Sequence, residues 1–74
     1  MKKTDRPIIW RGPKGDVIAC VEKNKVMGEN FEEIRQVCQD ALDDAVLMGC
    51  DEQQVRQAMI GLIGELAGSY APQE

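Results

Sequence analysis

The sequence predicts a mainly α-helical protein: an antiparallel helical hairpin with a short N-terminal β-hairpin-like extension, dimerising into a helical bundle. Three observations carry this. Cys20, Asn24, Met27, Phe31, Ile34, Cys38, Ala41, Ala45 and Met48 recur at alternating spacings of four and three, the period of one helix face. A shorter run of the same kind follows in Val55, Met59, Leu62, Ile63 and Leu66, with Ala58 beside it. Between the two runs stands only Gly49-Cys50-Asp51, and a connection that short places two helices antiparallel.

The N-terminal arm, residues 1–19, is built differently. Pro7-Ile8-Ile9-Trp10-Arg11 is short and apolar, Gly12-Pro13-Lys14-Gly15 is dense in turn residues, and Asp16-Val17-Ile18-Ala19 is a second short extended run. Glycine and proline in that density mark a turn, so the two runs suggest a small hairpin. An isolated two-stranded hairpin is marginal in water and needs a helix or another chain to lie on. Trp10 is the natural anchor, because its large apolar face has no other partner in the arm.

The hairpin of helices occupies residues 20–74. The first helix is expected over about 20–48. Polar and charged residues (Glu32, Glu33, Arg35, Gln36, Gln39, Asp40, Asp43 and Asp44) fill the positions between the stripe residues, and Val37 and Leu42 widen the stripe. Gly49 ends it, as glycine does just past a helix C-terminus. A shorter alternative starts at Asn30, where Asn30-Phe31-Glu32-Glu33 has the form of a capped helix start and Gly28 weakens a helix running through. The unbroken stripe back to Cys20 favours the longer helix. The second helix starts with Asp51 as N-cap and Gln54 at the third helical position. It runs over about 52–67, with Gly68 and Pro72 beyond.

With 74 residues the chain has room for one domain. A core this small rarely supplies more than ~3–5 kcal/mol, so small domains lean on disulfides, metals or oligomerisation. Cys20, Cys38 and Cys50 have no C-x-x-C spacing. They are expected as thiols, with no intramolecular disulfide, because a helix holds them too far apart. No apolar run approaches the ~18 residues of a membrane span. Met1-Lys2-Lys3 opens like a signal peptide, but no apolar stretch follows. The expected location is cytoplasmic, with no membrane partner.

Chemistry is sparse. There is no histidine, hence neither the usual base near neutral pH nor the commonest transition-metal ligand. Ser69 is the only serine and Thr4 the only threonine, so a hydrolytic triad cannot be assembled. Asp40, Asp43 and Asp44 sit on neighbouring turns, but an exposed face without backbone carbonyls makes a poor cation cage. Gly12-Pro13-Lys14-Gly15 lacks the phosphate-loop pattern. The expectation is no enzyme, no cofactor and no metal.

The tract from Cys20-Val21-Glu22-Lys23 to Gln39-Asp40-Ala41-Leu42-Asp43-Asp44-Ala45-Val46-Leu47-Met48-Gly49-Cys50-Asp51-Glu52 resembles a group of small proteobacterial proteins of uncharacterised function. The resemblance covers about two-thirds of the chain. It implies a bacterial cytoplasmic origin and says nothing of activity.

The net charge of −4 is uneven. Residues 1–15 carry Lys2, Lys3, Arg6, Arg11 and Lys14 against Asp5, and the remainder carries four cations against twelve acids. A basic arm suits phosphate neutralisation, which makes a nucleic-acid-associated regulator the alternative function. The acidic body opposes it, so nucleic acid is disfavoured as a partner. The favoured reading is a non-enzymatic protein acting by self-association and protein–protein interaction, its partners a second copy of itself and another protein. The expected interface is Trp10, Cys20, Asn24, Met27, Phe31, Ile34, Met59, Leu62 and Leu66. The second helix is too short to cover the first, and methionine is over-used at adaptable binding surfaces. A lone Asn24 at an a position of the heptad is a device for fixing register, so Asn24→Val is expected to raise the melting temperature while loosening the choice of assembly.

Overall fold

The computed structural model describes residues 8–70. It is mainly helical, with two helices packed against each other: α1, Val21–Leu47, and α2, Glu52–Glu65. The longer form of α1 is the one adopted. Gly28 lies inside it, and Asn30 is helical and does not cap. The continuous apolar stripe outweighs the local cost of one glycine, about 1 kcal/mol relative to alanine.

The ends follow from local chemistry. At the turn, the Gly49 N–H donates to the Val46 carbonyl (3.0 Å) and the Cys50 N–H to the Ala45 carbonyl (2.9 Å). That pair of bonds is the Schellman closure, and it places Gly49 at C′ with a left-handed φ of 95°. Only glycine reaches that backbone without strain. Two residues on, Asp51 caps α2, its Oδ2 accepting from the Gln54 N–H at 2.8 Å. One orphan donor of the new helix is thereby satisfied. Along the exposed faces, pairs four apart tie successive turns: Gln36 donates to Asp40, Gln39 to Asp43 and Arg56 to Glu52. Arg35 and Glu32, three apart, add an ion pair at 3.7 Å.

The arm departs from the expected hairpin. One isolated antiparallel bridge joins Arg11 and Val17, and no sheet forms among the described residues. A compact loop is held instead by Gly12 N–H to the Asp16 carbonyl (2.8 Å), Gly15 N–H to the Gly12 carbonyl (2.9 Å) and Ile18 N–H to the Trp10 carbonyl (2.9 Å). The Arg11 guanidinium closes it by donating to the Gly15 carbonyl at 3.0 Å. Pro13 in the loop brings no backbone donor, and so short a ribbon is stable only where something else carries it. Here α1 carries it.

The molecule measures 46 × 27 × 15 Å, with a radius of gyration of 15.5 Å. A compact domain of this length has a radius near ~11 Å. No described side chain is fully buried. The fold is one helix with two things laid on it, and the described residues enclose no core.

Candidate interaction surface

α1 is the spine. Its half-buried positions fall in two groups, Asn24 with Met27 toward the N-terminal end and Cys38, Gln39, Leu42 and Ala45 toward the other. On a helix of 3.6 residues per turn both groups share one face. The arm lies over the first group and α2 over the second, where Val55 and Met59 are the half-buried residues of α2.

The arm docks through two contacts. The Trp10 ring meets the Phe31 ring with centroids 5.0 Å apart and planes tilted by 53°, an arrangement that aromatic quadrupoles favour. The Asn24 amide donates from Nδ2 to the Ile18 carbonyl at 3.0 Å, so this stripe amide has its partner within the chain. Asn24 thereby acts as a latch that ties the arm to α1. Beneath the arm runs an apolar groove of about 830 Å³ whose walls include Ile9, Trp10, Ile18, Met27, Phe31 and Ile34, with Glu32 and Arg35 at the edge.

Between the arm and the turn, the apolar stripes are left open. Exposure rises along α2: Val55 and Met59 are half-buried, while Leu62, Ile63 and Leu66 are 59%, 53% and 69% exposed. On α1, Phe31 and Ile34 are 43% and 44% exposed, and Val37 on the flank 67%. The helices therefore pack closely near the turn and leave their apolar rows uncovered beyond it. Burying one such side chain is worth ~1.5–3 kcal/mol, and none of these residues gains that in full within one chain.

Of the nine expected interface residues, Trp10, Asn24, Met27 and Phe31 gather at the arm. Ile34, Leu62 and Leu66 line the open rows, and Met59 packs on α1. Cys20 stands apart as the exposed N-cap of α1. The Lys23 N–H lowers the pKa of its thiol. Slight desolvation opposes this, and the Glu22 N–H and the Lys23 ammonium reinforce it. The neutral side chain makes no cap hydrogen bond. Ile18 and Ile63 belong to the surface as well. Ile63 was visible in the periodicity of α2, whereas Ile18 docks only because the arm folds back, which no local pattern announces.

Comparison of the chain with protein-family models, curated proteins and solved structures found no match. No helix among the described residues is long and apolar enough to cross a membrane. No three Asp, Glu or Cys side chains among them are grouped to hold a metal ion. All three cysteines are free thiols. Lys2, Lys3 and Arg6, the outer half of the basic arm, lie outside the described residues. Of the arm's other cations, Arg11 is engaged within the loop.

Proposed function

We propose that the protein is non-enzymatic and works by association: it pairs with a second copy of itself as a homodimer and, in that form, presents a surface to another protein. The observation that supports this reading is the absence, among the described residues, of any fully buried side chain in a chain whose helices are amphipathic. A soluble domain holds together by enclosing apolar surface. Here the apolar stripes are assembled on one side of a spine and left open, with Phe31, Ile34, Leu62, Ile63 and Leu66 all among the exposed large hydrophobic residues. Such a contiguous exposed apolar row is the kind of surface that marks an interface.

The test has two arms. Sedimentation equilibrium at tens of micromolar should give a mass twice 8.2 kDa. Affinity capture with the tagged chain, run against a charge-matched control helix, should then recover a protein partner in stoichiometric amount. A monomer in the first arm removes the reading at its base. A dimer that captures nothing under several growth conditions limits the role to self-association.

A further inference from the structure

We infer that the open apolar rows are closed by a second copy of the chain lying antiparallel to the first about a two-fold axis near the middle of α1. The inference rests on the self-association proposed above and adds its topology.

Charge decides the direction. At one end of the spine lie Lys23 and Lys25 of α1 with Arg11 and Lys14 of the arm, against Asp16, Glu22 and Glu29. At the other lie Asp40, Asp43, Asp44, Asp51 and Glu52 against Arg56 alone. One end is thus nearly balanced and the other strongly acidic. A parallel pair gathers two acidic ends at one end of the assembly, and like net charge brought together there opposes association. An antiparallel pair sets the acidic end against the end that holds the lysines, and opposes the two helix dipoles as well.

Exposure and shape agree. The open residues Phe31 and Ile34 sit close to the centre of α1, and Leu62, Ile63 and Leu66 are at the far end of α2. No residue of α2 beyond Met59 is half-buried, and the arm's ring contact and side-chain hydrogen bond on α1 fall at Phe31 and Asn24, before its centre. A two-fold axis at the centre gives each open row of one copy the corresponding row of the other, as an isologous interface requires. The large apolar side chains left exposed there supply the apolar centre that such an interface needs. The outcome is a four-helix arrangement with the two arms at opposite ends.

The cysteines report on this directly. Within one chain Cys20 and Cys50 lie at opposite ends of α1, whose 27 residues span ~40 Å. No link between those two residues can close inside one protomer, because even a disulfide needs Cα atoms within about 7 Å. In the antiparallel pair, Cys20 of each copy lies beside the turn of the other, which carries Cys50, and both residues are exposed. A parallel pair instead brings Cys20 to Cys20 and Cys50 to Cys50.

The experiment uses the wild-type chain at tens of micromolar. Its mass is fixed first by sedimentation. The protein is then treated with a short bismaleimide, the dimer band is cleaved at acidic residues (which separates Cys38 from Cys50), and the linked peptides are sequenced. The expected product joins Cys20 to Cys50 in the band of doubled mass. A dimer giving Cys20–Cys20 and Cys50–Cys50 links overturns the antiparallel topology and leaves self-association standing, as does a dimer giving no Cys20–Cys50 link. A monomer at the sedimentation step overturns both.

Discussion

Removing the Trp10 ring should detach the arm from α1. Trp10 is half-buried, its ring 5.0 Å from that of Phe31. A large aromatic buries ~150–250 Å² when fully covered. Counting about 100 Å² for partial cover, at ~25 cal/mol per Å², gives roughly 2.5 kcal/mol, and a compact unfolded ensemble trims this by ~10–40%. The ring pair adds ~0.5–1.5 kcal/mol beyond area. Trp10→Ala should therefore cost about 3 kcal/mol, most of what a domain this small has. The assay is urea unfolding followed by far-ultraviolet circular dichroism, together with acrylamide quenching of the tryptophan in the native chain. A cycle of Trp10→Leu, Phe31→Leu and the double variant isolates the ring pair. The expected coupling is ~0.5–1.5 kcal/mol. Additivity within about 0.3 kcal/mol, or a native tryptophan quenched as readily as the free amino acid, would show that the arm is not docked.

Other consequences are simpler. Asn24→Val removes the amide bonded to the Ile18 carbonyl and should lower stability by about 1 kcal/mol; a raised melting temperature would support the register role that the sequence suggested. Gly49→Ala forces a side chain onto a φ of 95° and should cost ~1–2 kcal/mol. Gly28→Ala fills open space inside α1 and should gain up to about 1 kcal/mol. Equal effects from the two glycine changes would contradict the assignment of both helix ends. Cys20, whose pKa is lowered from the ordinary thiol value by the Lys23 N–H, should alkylate with iodoacetamide at a lower pH in the folded chain than in the urea-unfolded one, since the thiolate is the reacting form. A half-maximal pH for Cys20 that is the same or higher in the folded chain would rule out a thiolate stabilised at this helix start.

Much of the backbone was legible in the residue pattern because its causes are local. The stripe from Cys20 to Met48 specified α1 through Gly28. Asp51 and Gly49 wrote the turn, since an aspartate cap and a glycine at positive φ act within four residues of themselves. The arm was legible only in part. Its turn was read from Gly12-Pro13-Lys14-Gly15, yet one bridge formed where two strands were expected, because ladder formation depends on what the ribbon lies against. Asn24 shows the same limit at one side chain. Its place on the stripe was correct, but its partner is the Ile18 carbonyl, six residues back across a bend that no periodicity encodes. The open rows were anticipated by helix length. Their position was legible in part: Phe31, Ile34, Leu62 and Leu66 stood among the expected interface residues and are exposed, as is Cys20, whereas Met27 is half-buried beneath the arm.

Sedimentation equilibrium of the wild-type chain, from one to one hundred micromolar, tests the central claim most directly. An open two-helix spine with no enclosed side chain among its described residues should pair, giving a species of twice 8.2 kDa that dissociates when Ile34 and Leu62 are both changed to Asp. A single species of 8.2 kDa across the whole range, with the circular dichroism of a folded helical protein, would show that the chain stands alone with its apolar rows exposed, and the account of this protein as a self-associating one would fail.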